Sequence, residues 1–372
     1  MADLDADALK SNFAAVAAHG GDNVALFFYS YLFVRNPDTR TMFPPGMMRQ
    51  RDRLVGALGQ IVSNVDKVDE LVPFLQDLGR DHRKFGAIAG HYPAVGTALI
   101  ATLKFFSADA WTPKLQEDWA AAYGIVSDTM QAAAEEDAQS RPPYWEGEIV
   151  AVERRTIDIA VVRIRTDEPV PYEAGQSLSL EVSDLRPREW RWYSPGTGPG
   201  GTEFEVHVRL INGGPVSTIL VTRAKVGTKV RLGPPVGRLT LDRDSDRPLL
   251  LIAGSTGLAP MKALIDQVAA DGGRRPTHLY FGARTAREVY DRDALEALDR
   301  RHDWLTVVSA VSDDEWDGRV GLIGEVAVSD GDWTEHDVYV CGSPAMVEAT
   351  IKILVSSGVL EERVRFDEFG QS

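Results

Sequence analysis

Two rhythms of apolar residues divide the chain. In the first third, apolar positions recur every three or four residues, the period of one face of an α-helix. Residues 24–34 form one such segment, closed by Asn36-Pro37. Residues 49–65 carry Leu54, Leu58, Ile61 and Val65 on one stripe, and residues 68–85 carry Leu71, Leu75, Leu78, His82 and Phe85. Residues 95–106 and 115–136 follow; in the latter Leu115, Trp119, Tyr123, Val126 and Met130 line one face. This predicts an all-α domain of about six helices packed around one core. The rhythm breaks at AQSRPPY, where Arg-Pro-Pro reads as a stiff connector. Beyond it come short strands: EGEIVAVE, DIAVVRIR, QSLSLEV and TEFEVHVRL. In the last, Phe204, Val206, Val208 and Leu210 alternate with polar residues. Their spacing and Gly/Pro-rich turns suit a small antiparallel barrel. From about residue 246 strands alternate with helices. Strand 248–253 precedes helix 261–270; THLYFGA, helix 292–301, LTVVSAV, DVYVCGS, helix 345–356 and RVRFDEF follow. That order predicts a parallel sheet with helices on both faces. The expected architecture is multidomain: an all-α domain at 1–140, an antiparallel β-barrel at 141–245, and an α/β parallel-sheet domain at 246–372.

Composition narrows the chemistry. The 372 residues hold 40 Lys and Arg against 55 Asp and Glu, a net charge of -15. So acidic a chain lacks the footprint of a phosphate-backbone binder, and no nucleic acid is expected as partner. The apolar fraction, 44%, is enough for several cores. No apolar run approaches the length of a transmembrane helix. The opening MADLDADALKS is acidic and has no apolar stretch of the kind a secretory leader needs, so a cytoplasmic location is expected. Cys341 is the single cysteine, which excludes an internal disulfide, an iron–sulfur cluster and a CxxC redox pair. Electron transfer would need an organic cofactor, or a haem held without cysteines.

Several polar residues stand on apolar faces, where each needs a hydrogen-bond partner. His82 sits within an apolar stripe. Tyr29 lies in LFFYSYLF, Phe43 follows in the Pro-rich corner TMFPPG, and Gln50 shares a helix face with Leu54. Tyr29, Phe43, Gln50, Leu54 and His82, followed by Tyr92 and Glu136, resemble the globin domain of bacterial flavohaemoglobins across nearly all of 1–140. The resemblance implies a non-covalent b-type haem. His82 would be the proximal iron ligand and Phe43 would pack on the haem face. Tyr29, Gln50 and Leu54 would form the distal pocket. Tyr92 and Glu136 would bond the far nitrogen of His82, with Glu135 as the neighbouring choice in register. A carboxylate there would fix the tautomer and push electron density onto the iron.

The rest resembles the ferredoxin–NADP reductase superfamily. Arg191, Trp192, Tyr193 and Ser194 match its Arg-x-Tyr-Ser flavin motif: an aromatic ring to stack on the isoalloxazine, a hydroxyl near flavin N5, an arginine for the pyrophosphate. GGPVST brings Gly214, Val216 and Ser217 to the start of a helix, a ready phosphate site with Ser217 as cap. In LLLIAGSTGLAP, a buried strand runs into Gly254, Ser255, Thr256, Gly257, Leu258 and Ala259, where glycines let backbone approach a pyrophosphate at a helix N-terminus. By the same resemblance Cys341 and Gly342, at the end of a later strand, would sit beside the nicotinamide, Cys341 reading equally as a small buried residue, and Phe369 in DEFGQS matches the aromatic that covers the flavin. Arg284 in GART could meet a 2′-phosphate, with NADH and NADPH both open. The chain departs from the family at Asp81, where a lysine is common, and at Ser177, Ala259 and Asp367.

The resemblance implies that NAD(P)H reduces FAD, that FAD reduces the haem, and that NO and O₂ become nitrate, a nitric oxide dioxygenase acting as a monomer on small molecules. Two alternatives are a flavin dehydrogenase with the globin as electron acceptor, and a haem-based O₂ or redox sensor.

Overall fold

A computed structural model describes residues 4–369. The chain divides into two compact units, Met1–Pro143 and Tyr144–Ser372.

The first unit is helical: α1 Ala6–Gly20, α2 Asp22–Arg35, α3 Met48–Ser63, α4 Val68–His82, α5 Tyr92–Ser107 and α6 Pro113–Ala138. Its core joins Leu9, Val16, Phe28, Leu32, Leu99, Leu103 and Trp119. A buried polar chain crosses that core. The Trp119 indole donates to Asn12 Oδ1 (3.0 Å), and Asn12 Nδ2 donates to Ser107 Oγ (2.8 Å). This fastens α6, α1 and α5 without leaving a buried donor unpaired. The stripe of residues 68–85 does not run as one helix. α4 stops at His82, and a tighter turn, Arg83–Phe85, leads to Gly86 at φ 79°, a left-handed position that glycine takes without strain. α4 lies against α6 at Gly79, where a Cβ would run into the Met130 backbone.

The second unit holds two sheets. The first contains β1 Trp145–Arg154, β2 Ile159–Thr166, β3 Ser177–Glu181, β4 Trp190–Tyr193, β5 Glu203–Arg209 and, after α7 Pro215–Thr222, β6 Lys229–Val236. All pairs are antiparallel, in the order β4-β3-β6-β1-β2-β5. The expected barrel is an incompletely closed one. Its edges meet through a single bridge, Pro195 with Val206, where Gly196 N–H donates to Glu205 O (2.7 Å). Proline lacks the donor that would continue the ladder there.

The second sheet follows: β7 Leu249–Gly254, α8 Leu258–Ala270, β8 Thr277–Ala283, α9 Arg292–Arg301, β9 Leu305–Val311, β10 Arg319–Val320, α10 Ile323–Asp330, β11 Asp337–Gly342, α11 Pro344–Ser356 and β12 Val364–Glu368. It is wholly parallel, in the order β10-β9-β8-β7-β11-β12. The chain steps outward from β7 and returns to β11 at its other side. The carboxyl ends of β7 and β11 therefore flank the crevice where such sheets bind ligands. β7 and β11 are buried on both faces, hence their unbroken apolar runs.

Candidate functional site

In the helical unit, α2 and α3 bring Tyr29 and Gln50 together. Gln50 Nε2 donates to the Tyr29 hydroxyl (3.1 Å), and that hydroxyl lies 3.4 Å from the Gln50 carbonyl. Phe43 stands edge-on to Tyr29, ring centres 5.4 Å apart. Burial pushes the Tyr29 phenol up to about 12, so it keeps its proton at neutral pH and remains a donor. Leu54 lies one turn from Gln50 and lines a mostly apolar cavity of about 420 Å³ with Phe28, Leu58, Leu99 and Leu103, rimmed by Asp22, Arg51 and Asp52; Tyr29, Gln50 and His82 do not line it.

His82 ends α4. Its Nδ1 is 2.7 Å from the Leu78 carbonyl one turn back. A carbonyl only accepts, so Nδ1 carries the hydrogen and Nε2 keeps its lone pair. Burial holds the imidazole below the usual histidine pKa, which favours this neutral form. That is the state in which Nε2 can ligate iron.

The expected carboxylate partner is a correction. Glu136 is 76% exposed and pairs with Arg80 (3.7 Å); Glu135 is also exposed. Tyr92 packs against Leu71, Leu75 and Met130, and its backbone carbonyl accepts from the Tyr123 hydroxyl (2.6 Å). Among the described residues, no hydrogen bond joins His82 to Tyr92, Glu135 or Glu136. The cause is helix register. Gly79 meets α6 at Met130 and Arg83 meets it at Asp137; between these two contacts Ala133 is the buried position, while Glu135 and Glu136 are exposed. The peptide carbonyl of Leu78 takes the carboxylate's place.

Two neighbours of His82 went unread in the sequence. Asp137 is buried and bound by Arg83 and by Arg141 Nε (2.6 Å). Lys84 is buried too, its Nζ 2.5 Å from Asp81. Asp81, in the place where the family often has lysine, is thus neutralised by a lysine three residues on. Charges three apart are the one signal that pointed to it.

In the second unit, β4 carries Arg191 and Tyr193 on the face shared with Leu180 and Leu178, and Trp192 opposite Ser179. Burial raises the Tyr193 phenol, which stays protonated. Trp192 is exposed. Ser194 Oγ is 2.9 Å from Ser177 Oγ, so Ser177 supplies a second hydroxyl at the strand end. Arg191 donates to its neighbour's carbonyl, Trp190 O (2.6 Å). The loop before α7 places Gly213 at φ 72° with open space at its Cβ, and Gly214 as N-cap. Ser217 is not the cap expected. Its hydroxyl accepts from Ile211 N–H (3.2 Å) and donates to Gly214 O (3.2 Å), bracing the loop from inside. Val216 is wholly buried. What this loop offers a phosphate is backbone N–H.

At the end of β7, Gly254 leads into a tight turn, Ser255–Gly257, and α8 begins at Leu258, three residues earlier than the apolar pattern indicates. Ser255 holds φ 54°, a strained value for a non-glycine residue, of the kind that clusters at binding sites. Gly257 presses on β11: a Cβ there would run into the Cys341 carbonyl, and one at Gly342 would come 3.4 Å from Gly254 N. Thr256 is half-buried, while the side chains of Leu258 and Ala259 face the core, so their backbone is what borders the crevice. The Cys341 thiol is also in the core, where burial raises its pKa far above the usual range. It packs and does not react. Phe369 N–H donates to Gly342 O (2.8 Å), which brings the terminal aromatic to the same crevice. Arg284 is exposed and paired with Glu288 (3.1 Å).

Three family models match in succession: Globin over residues 26–130, Oxidoreductase FAD-binding domain over 146–241 and Oxidoreductase NAD-binding domain over 251–352. The flavohemoprotein of Bacillus subtilis (strain 168) is 25% identical over 97% of this chain and 96% of its own. The chain belongs to the flavohaemoglobin family. Its reductase half is also similar to the ferredoxin–NAD(P)(+) reductase component of the naphthalene 1,2-dioxygenase system of Pseudomonas putida, 34% identical over 60% of this chain and 68% of that protein. A crystal structure of flavohemoglobin from Malassezia yamatoensis, with bound FAD and heme, shares the fold: TM-score 0.77, 20% identity, 98% of both chains covered. The chain is an oxidoreductase with haem, FAD and NAD(P) as cofactors.

The side chains fit those groups. A neutral, half-buried histidine with its Nε2 lone pair free is a haem ligand's arrangement. The left-handed Gly213, its Cβ position open, fits a flavin phosphate, and the glycine-lined meeting of β7 and β11 fits a dinucleotide. Among the described residues, no helix is long and apolar enough to cross a membrane.

Proposed function

We propose that the protein is a nitric oxide dioxygenase that turns NO and O₂ into nitrate with electrons from NAD(P)H. It works as a single cytoplasmic chain with globin, flavin and dinucleotide domains at 1–140, 141–245 and 246–372. The observation that carries this reading is the Tyr29–Gln50 pair, a buried protonated phenol braced by an amide in a domain whose histidine is prepared for iron.

When bound, the haem supplies O₂ activation, and the flavin converts the two electrons of a hydride into single-electron steps. The residues of the chain do the rest. His82 would hold the iron through Nε2, its tautomer fixed by Leu78 O. Tyr29 would keep its proton and hydrogen-bond through it to a diatomic ligand, with Gln50 holding the hydroxyl in place. Arg191 pairs with the flavin pyrophosphate, and the N–H groups at the start of α7 and α8 receive phosphates. Ser177 and Ser194 hold a hydroxyl pair for the flavin ring.

The test is NO consumption by the purified protein with NADH or NADPH at fixed O₂, beside the His82→Ala protein. Consumption that needs both nucleotide and His82 supports the reading. If wild type reduces dyes with NAD(P)H but consumes NO no faster than His82→Ala, the flavin dehydrogenase alternative replaces it.

A further inference from the structure

The outward face of β5 is polar, which is unusual because it is largely buried. Glu205, His207 and Arg209 alternate along it, while Phe204, Val206 and Val208 face the sheet's own core. Each of the three grips a different piece of the dinucleotide half. Glu205 accepts from Lys262 Nζ of α8 (2.6 Å), which also donates to the buried Asp291 (2.8 Å). His207 Nε2 lies 3.1 Å from Glu205 and Nδ1 lies 2.6 Å from the Tyr290 hydroxyl. Burial opposes ionisation of Glu205, yet the His207 hydrogen bond and the Lys262 ammonium hold its carboxyl at about 2. It therefore only accepts, so His207 donates from Nε2 and accepts a hydrogen bond from the Tyr290 hydroxyl at Nδ1.

Arg209 uses its whole fork. Nε binds Asp158 (2.9 Å), one terminal nitrogen binds Glu288 (2.7 Å), and the other donates to Ser255 Oγ (3.0 Å). Ser255 is the residue at φ 54° in the turn after β7. Five residues after Arg209 the same strand has become the Gly213–Gly214 loop assigned to the flavin phosphates. One rigid strand thus ends in the flavin loop and, by a fixed side chain, holds the turn assigned to the dinucleotide.

We propose that Arg209 is a positioning residue for hydride transfer: it locks the strained Ser255 turn to β5 and so sets the placement of the nicotinamide against the flavin. The inference rests on the reading of Gly254–Gly257 as the dinucleotide turn. In the transfer, a hydride with its two electrons leaves the dihydronicotinamide, which becomes NAD(P)⁺, and reduces oxidised FAD to its anionic hydroquinone. The rate of such a step depends on reacting atoms held near contact, and displacement by about 1 Å costs roughly a hundredfold. Arg209 touches neither reacting ring; it acts through Ser255.

The test uses the full-length holoprotein and stopped-flow reduction of its flavin by saturating NADH or NADPH. Arg209→Ala lowers the limiting rate about ten- to a hundredfold, weakens the nicotinamide–flavin charge-transfer absorbance and raises the isotope effect with 4-deuterated nucleotide. FAD content and photochemical flavin reduction stay at wild-type levels. Arg209→Lys, which keeps the charge but cannot span three partners, restores only part of the rate. Ser255→Ala leaves the Asp158 and Glu288 pairs in place and still slows reduction several-fold, so the proposal stands or falls even if Arg209→Ala does not fold. Wild-type limiting rates and isotope effects in Ser255→Ala and Arg209→Lys overturn it. Hydrogen exchange separates this from failure of the underlying site. If saturating NAD⁺ and NADP⁺ both leave the amides of residues 255–259 unprotected, the turn itself is misassigned. Protection together with unchanged reduction kinetics removes the positioning role alone.

Discussion

In the proposed function, Tyr29 concentrates the distal chemistry in one hydroxyl. Replacing it with Phe keeps the ring and its packing on Phe43 but deletes one hydrogen bond to a partly charged oxygen, worth about 1.5–3 kcal/mol. O₂ dissociation should then accelerate roughly ten- to a hundredfold, read by stopped-flow exchange with CO. An unchanged rate would place Tyr29 away from the ligand. The same phenol makes a prediction in alkali. Its pKa in the fold is about 12, above the ordinary tyrosine value of 10.0, so its contribution to stability is complete below the lower value and disappears as pH rises through the higher. Thermal stability of the Tyr29→Phe protein should therefore depend less steeply on pH across that interval than that of wild type. Arg191 belongs to the same scale. Loss of its charge-assisted bonds to the flavin pyrophosphate should cost about 1.5–3 kcal/mol, roughly ten- to a hundredfold in FAD affinity by titration, with haem content unchanged. Equal affinity in Arg191→Ala would mean that the Arg-x-Tyr-Ser match does not mark the flavin site.

Helix α4 reaches its ligand position because Gly79 lets it touch α6. Gly79→Ala would push the helices apart against the Met130 backbone and should destabilise the helical unit by about 1–3 kcal/mol, with haem retention falling as His82 shifts. A melting temperature and haem content equal to wild type would show that the crossing has room. At this scale, too, lie the differences between what the sequence told and what the fold does. Residues 68–85 read as one helix because His82 and Phe85 keep the apolar period, yet Gly86 ends the chain's helical course in a turn that periodicity does not register. The two-residue β10 is too short and too exposed to carry an alternating pattern. Glu136 was placed beside His82 by the family resemblance alone, and the structure turns it to solvent beside Arg80. Ser217 carried the residue type of a cap but sits three positions inside α7. By contrast, that His82, Tyr29 and Gln50 need hydrogen-bond partners, and that the chain turns at Gly254–Gly257, was legible. Each sets a polar or flexible residue into an apolar run, where physical chemistry demands a reason. Lys84 and the Glu205–His207–Arg209 face were not legible, because charged residues in sequence read as surface until their partners are known.

The two compact units make the molecule's chemistry separable. His82→Ala should remove the Soret absorbance and leave flavin content and NAD(P)H-driven dye reduction intact, since the flavin and dinucleotide residues all lie in the second unit. Joint loss of haem and flavin would contradict that independence. It also defines the right control for the whole account, which holds that electrons from one unit support dioxygenation of NO in the other. The most direct measurement follows NAD(P)H, NO and nitrate together in one closed, oxygenated vessel. Each hydride supplies two electrons and each turnover at the haem needs one, so the account predicts two NO consumed and two nitrates formed per NAD(P)H in wild type, and neither in His82→Ala. NAD(P)H oxidation that continues in wild type without NO loss or nitrate would contradict it.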